Sequence, residues 1–350
     1  MSLHDELLSN LLTLNGGAVD VRLVASFQHG NIGFQDKLKI FLPDVHLVTQ
    51  QRRNAFDYGN NYEDLLTALV RMLKQLKKSA GSANITVYQL GDLLDLWRQD
   101  PQNSRQNIGA LIANNHQNLM EALLDDDLET HFLLGNHDFN LSGFPDFDAW
   151  APCEYLTDST GKATAIALHG HVFDWQQQAL NVLPEVVKNA LAYLIAPMWP
   201  QGNRPLGELI PLNEQMLQQL PNARGYIRAP SPVALGRTIP AHNEIPPRFN
   251  VQTHAVHADN GMLYAAEARA LCNDIQQKFG ETLNVVVIGH THHARIAMIE
   301  DGEDNPLILV DAGAWVEQYS TVEDDQPHLN AQIAAIGEGV ARIYQLAASA

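Results

Sequence analysis

The side chains best suited to chemistry in this chain are carboxylates, imidazoles and one amide gathered in five short stretches. These are Pro43-Asp-Val-His46, Leu90-Gly-Asp-Leu-Leu-Asp-Leu-Trp97, Leu134-Gly-Asn-His-Asp138, Leu168-His-Gly-His171 and Ile288-Gly-His-Thr-His-His293. Mixed oxygen and nitrogen donors of this kind suit divalent and trivalent metal ions. The candidate ligands are Asp44, His46, Asp92, Asn136, His169, His290 and His292. A pair of ions roughly 3.5–4 Å apart needs a shared ligand. Asp92 is expected to bridge, as a carboxylate at the tip of a central strand. His171 and His293 each neighbour a ligand, and are expected either to support it or to face solvent or substrate. Alone, Asp44 or His46 would more often be an ordinary turn residue, and Asn136 likewise favours turns. What joins them is position, because each lies just after a predicted strand.

The elements that must carry these residues follow from hydrophobic periodicity. Leu38 to Pro43 predicts a short buried strand, and Tyr62 to Lys78 an amphipathic helix with Leu65, Leu66, Leu69, Val70, Leu73 and Leu76 at helical spacing. Asn84 to Leu90 predicts the next strand, Arg105 to Leu124 a second helix, and Thr130 to Leu134 a third strand. Alternating strands and helices of this length imply an α/β fold. In open α/β sheets ligands collect beyond the carboxyl ends of the strands, where these polar residues fall. Lys162 to Leu168 predicts a fourth strand, ending in His169.

The rhythm then breaks over 176–283, a long insertion expected to act as a lid or substrate-recognition region, or as a packed embellishment. Within it, residues 197–247 hold ten of the chain's 17 prolines. Helices are expected at 176–195, interrupted at Pro184, and at 213–220. A helix from about Met262 to Phe279, closed by Gly280, restores regularity. Strands follow at Asn284 to Ile288, Ala294 to Ile299, Leu307 to Val310 and Val340 to Leu346. This strand-rich end implies a second mixed sheet packed on the first. The expected architecture is two mixed sheets face to face, flanked by helices, in a four-layer α/β/β/α sandwich. Residues 1–37 are an N-terminal extension of uncertain structure with a possible strand at Ala18 to Ser26. Residues 38–350 form the main domain.

Composition narrows the partners. The net charge is -18, from 40 acidic and 22 basic residues. A field of that sign repels phosphate backbones, which disfavours nucleic acid. A small phosphorylated substrate remains compatible, because bound cations invert the local charge. No apolar run spans a membrane, and the start of the chain carries no secretory signal. Two cysteines, Cys153 and Cys272, do not make a disulfide framework. A cytoplasmic protein is the expectation. Arg52, Arg53 and Arg98 are candidates to hold a substrate phosphate, Arg98 foremost because it lies close behind Asp95. His254 and His257 have the spacing of a helical ligand pair but no predicted partners.

The ordered set Asp-x-His, Gly-Asp-x-x-Asp, Gly-Asn-His-Asp, His-Gly-His and Gly-His-x-His resembles the calcineurin-like metallophosphoesterase superfamily over about residues 38–316. The resemblance implies that Asp44, His46 and His292 hold one metal, that Asn136, His169 and His290 hold a second, and that Asp92 bridges them. It implies manganese foremost, or iron or zinc, and a bridging hydroxide as the nucleophile toward a phosphomonoester, phosphodiester or pyrophosphate. His137 would assist the leaving group, and Asp95 would only orient it. Gly91-Asp-Leu-Leu-Asp-Leu-Trp97 and Asp311-Ala-Gly-Ala-Trp-Val-Glu317 are similar to bacterial UDP-diacylglucosamine pyrophosphohydrolases. This chain departs from them in having His137 where they carry arginine, and in its longer span at 176–283.

Overall fold

The computed structural model describes residues 2–30, 32–34, 37–47, 62–95, 108–135, 137, 150–151, 153–158, 161–173, 250–253, 264–300, 306–318 and 328–348. The expected helices at 176–195 and 213–220 lie outside these residues. No helix among the described residues is long and apolar enough to cross a membrane.

The N-terminal segment is structured. Helix α1 (Leu3–Leu12) begins with a capping box between Ser2 and Asp5. Strand β1 (Val19–Gln28) follows. Then come β2 (Leu38–Leu42), α2 (Tyr62–Ala80), β3 (Ile85–Gln89), α3 (Ile108–Asn115), α4 (Gln117–Leu123) and β4 (His131–Phe132). The expected single helix at 105–124 is thus divided. At the break, His116 has φ -117° and ψ 37°, and its Nδ1 meets Glu63 Oε2 of α2 at 2.8 Å. The third predicted strand shortens to two residues, with Leu133 making a lone bridge to Ala151. After β5 (Cys153–Thr157) and β6 (Ala163–Leu168) come β7 (Asn250–Thr253), α5 (Ala265–Phe279), β8 (Val285–Ile288), β9 (Arg295–Glu300) and β10 (Leu307–Asp311). Gly280 closes α5 in the left-handed region, as expected. The chain ends in β11 (Trp315–Gln318), β12 (His328–Gly337) and β13 (Val340–Ala348).

These strands form two mixed sheets, which bears out the expected fold class. The first has order β1-β13-β12-β2-β3-β4, with β11 paired to β12, and the second has order β5-β6-β8-β10-β9-β7. Strands β2, β3 and β4 run parallel, as do β6, β8 and β10. The remaining neighbours pair antiparallel. β1 pairs along its length with β13, so the N-terminal segment completes the first sheet.

Side-chain alternation sorts the core into layers, because successive strand residues point to opposite faces. Ile40 and Val87 meet Leu69 and Leu73 of α2 on the outer face of the first sheet. Phe41 and Tyr88 point inward and join Ala165, Val285, Val287 and Val310 between the sheets. Val286 and Ile288 face outward against Ala268, Leu271 and Ile275 of α5. Burial on both faces explains why β8 reads as a continuous apolar run and β2 as one broken only by Lys39.

Candidate metal centre

The parallel strands of the two sheets deliver their C-terminal ends to one place. Asp44 and His46 follow β2, Asp92 and Asp95 follow β3, and His137 follows β4. His169 follows β6, while His290 and His292 follow β8. Three groups of donor atoms result, each with atoms within 4.8 Å of one another: Asp44–His46–His292, Asp92–His169–His290 and His46–Asp92–His137. Asn136, Arg52, Arg53, Arg98, His254 and His257 lie outside the described residues.

The backbone bends sharply to bring these atoms together. His46, Asp92, His290 and His292 all have positive φ, between 51° and 72°. Such a conformation costs a residue with a side chain on the order of 1 kcal/mol or more, and tends to cluster at functional sites. Two glycines permit close approach. A Cβ on Gly135 would overlap the main chain and carboxylate of Asp92, and one on Gly289 would overlap the Asp44 carboxylate. His137 N–H donates to Asp92 Oδ1 across 2.7 Å. His290 N–H reaches both Asp44 oxygens, at 3.0 and 3.1 Å. Each carboxylate is therefore held by the loop of another strand.

The donor chemistry fits cations. His169 Nδ1 donates to the Leu90 carbonyl at 2.9 Å. A carbonyl only accepts, so the proton sits on Nδ1 and the Nε2 lone pair is left. That Nε2 faces Asp92 Oδ2 at 3.1 Å. In the first group His46 Nε2 and His292 Nε2 face each other at 3.2 Å, and His292 Nε2 is 3.1 Å from Asp44 Oδ2. Lone pairs and carboxylates converging like this repel unless a proton or a cation stands between them. Imidazole and carboxylate together suit manganese, iron and zinc alike.

Electrostatics agree. Burial works against the charge of Asp44, yet His169, His292 and His46 hold its carboxyl well below the usual range. Burial likewise opposes ionisation of Asp92, and His169, His137 and His46 overcome it. Burial would strip the proton from His46, but the Asp44, Asp95 and Asp92 carboxylates raise its pKa to about 10. Its neighbour His292 is pulled down by burial to about 4. The contact between the facing Nε2 atoms thus holds one proton, on His46.

Asp95 has a wider reach than expected. Its Oδ1 accepts from His137 Nδ1 at 3.0 Å, and its Oδ2 lies 3.6 Å from His46 Nδ1. One buried carboxylate therefore faces both the candidate proton donor and a candidate ligand. Burial raises its pKa, but His137 and His46 hold it well below the usual range.

His171 is buried, with its ring 5.3 Å from that of His169 and 6.4 Å from that of His290. Burial, with the charges of His169 and His290, keeps it neutral. It belongs to none of the three donor groups. His293 is half-buried, and its main-chain N–H donates to Thr291 Oγ1 at 3.1 Å.

Sequence reasoning quoted Thr291 and Asp311 within two of its stretches but gave neither a role. Thr291 Oγ1–H donates to the Asp311 carboxylate, which also lies 3.3 Å from an Arg295 guanidinium nitrogen. Burial pushes the Asp311 pKa up to about 7 against the pull of Arg295 and Thr291. The signals for Asp311 were an aspartate ending an otherwise apolar strand and its place at the head of the Asp311–Glu317 stretch.

No curated protein matches the chain. A family model described as calcineurin-like phosphoesterase matches residues 40–294, most of the chain, and spans every residue of the three donor groups.

Proposed function

The chain belongs to the calcineurin-like phosphoesterase family, and we propose that it hydrolyses a phosphomonoester, phosphodiester or pyrophosphate with two metal ions at the His/Asp site. The observation that carries this reading is the pair of donor groups Asp44–His46–His292 and Asp92–His169–His290. His46 Nε2 of the first lies 3.7 Å from Asp92 Oδ2 of the second, so one carboxylate is within reach of both.

Asp44, His46 and His292 would hold one ion. Asp92, His169 and His290 would hold the other, with Asn136 as the further ligand that the family resemblance implies. Asp92 would be shared. When bound, the ions would supply positive charge toward the phosphoryl oxygens and a water acidic enough to serve as nucleophile near neutral pH. Manganese is the ion we favour, with iron or zinc as alternatives.

The chain's own residues supply the rest. Asp95 takes the Nδ1 hydrogen of His137, which leaves Nε2 as the atom that carries a proton toward the leaving oxygen. The same hydrogen bond fixes the ring's orientation, and His137 N–H ties its backbone to Asp92. Proton donor and shared carboxylate thus move as one unit, which favours a fixed alignment with the reacting bond. The -18 net charge favours a small phosphorylated substrate over nucleic acid.

Purified protein supplied with manganese is expected to cleave an activated aryl phosphate or its diester, and Asp92→Asn to abolish the reaction. Undiminished turnover by Asp92→Asn would remove the shared-carboxylate assignment.

A further inference from the structure

The two ligands after β8 sit in a loop under backbone strain, since His290 and His292 have φ of 72° and 60°. Something must hold that loop, because a strained conformation persists only where its surroundings over-determine it. Thr291 lies between the two ligands and is buried. Its hydroxyl donates to Asp311 and accepts from His293 N–H at 3.1 Å. Asp311 is fully buried at the end of β10. Its other oxygen accepts from Gly313 N–H at 3.4 Å, and Arg295 stands 3.3 Å away.

From Asp311 the chain crosses from the second sheet to the first. Ala312 N–H donates to the Ile288 carbonyl at 2.8 Å, at the base of the His290–His292 loop. Three residues on, Trp315 N–H donates to the Asp44 carbonyl, also at 2.8 Å. Ala314 N–H is held by Gln332 Oε1 at 3.2 Å. Asp44 and His292 come from different sheets, and this crossing is bound to the loops of both.

We propose that Asp311 and Thr291 are positioning residues for the metal centre: their hydrogen bond locks the His290–His292 loop to the Asp311–Trp315 crossing and sets His292 against Asp44. The inference rests on the metal-centre reading. Thr291 touches no donor atom in this account and acts through the backbone of its neighbours. The hydroxyl is essential to the brace, because a methyl in its place can neither donate to the Asp311 carboxylate nor accept from His293 N–H. Hydrogen-bond partners behind metal ligands contribute about 10–100-fold to metal affinity.

The test is manganese affinity, measured by titration on metal-free protein, for the parent chain, Thr291→Val, Thr291→Ser and Asp311→Asn, with the melting midpoint of each metal-free protein as a control for folding. Thr291→Val keeps the shape, loses the hydroxyl, and is expected to bind manganese at least about tenfold more weakly, with a lowered metal-free midpoint but unfolding still cooperative, since buried polar groups lose a partner. Thr291→Ser restores the hydroxyl and is expected to stay within about threefold of the parent. Asp311→Asn exchanges a charge-assisted hydrogen bond for a weaker neutral one, and is expected to lose at least about threefold. It keeps the proposal open to refutation should Thr291→Val not fold. Parent-like affinity in Thr291→Val or in Asp311→Asn overturns the brace. A parent chain that binds no manganese overturns instead the metal-centre reading beneath it.

Discussion

His169 Nε2 stands 3.1 Å from Asp92 Oδ2, while its Nδ1 hydrogen is already given to the Leu90 carbonyl. A ring fixed in this way turns a lone pair toward a carboxylate. A proton shared across the contact relieves that repulsion, and so would a cation. The same logic governs His46 and His292, whose Nε2 atoms face each other at 3.2 Å.

Metal binding must therefore displace protons. The folded pKa of His46 is raised to about 10, above its unfolded value near 6.5. Its contribution to the stability of the metal-free protein is fully present below about pH 6.5 and is lost as pH rises through about 10. Asp44, Asp92 and Asp95 are held low and have no proton to release at pH 7.5. Calorimetric titration with manganese at pH 7.5, in buffers of differing ionisation enthalpy, should show release of about one proton or more. Affinity should rise with pH. Binding with no net proton release would contradict the proton placement on His46.

The two contacts of Asp95 separate its effects from those of His137. His137→Asn should lower kcat by roughly 10²–10⁴-fold and leave manganese affinity near that of the parent. Asp95→Asn should lower both, because Asp95 faces His46 as well as His137. Steady-state kinetics and manganese titration on the two variants make the comparison. Equal metal affinity in both would show that the 3.6 Å contact with His46 carries no weight.

A Cβ at position 135 has no room beside Asp92. Gly135→Ala should therefore destabilise the protein by about 1–3 kcal/mol, as overpacking of a tight site does, and should cost manganese affinity by displacing Asp92. Denaturant unfolding of the metal-free variant checks the first effect, and titration the second. Unfolding and manganese affinity both unchanged from the parent would mean that the loop after β4 yields without disturbing Asp92.

The strand tips were legible in the sequence because strands buried on both faces leave unbroken apolar runs. Val285–Ile288 is such a run and Leu38–Leu42 is broken only by Lys39, and the polar residues after them stand out. Helix α1 and strand β12 left weaker traces. The N-terminus of α1 is held by Glu338, whose carboxylate accepts from Leu3 N–H at 3.2 Å across 335 residues of sequence. Strand β12 is rich in alanine and poor in β-branched residues, and takes its form from β2 and β13 on either side. At the division between α3 and α4, His116 meets Glu63 of another helix, a contact that no local pattern announces. At the site, the donor atoms were nameable from residue type alone. The double reach of Asp95 and the Thr291–Asp311 link were not, because each depends on how loops from separate strands pack.

Metal content per chain tests the central claim most directly. Manganese-loaded protein, freed of excess ion and measured by elemental analysis, should contain two ions per chain. Asp92→Asn should retain one at most, since Asp92 belongs to one donor group and its carboxylate lies 3.7 Å from His46 of the other. One ion or none in the parent chain, or two in Asp92→Asn, would contradict a centre built around a shared Asp92.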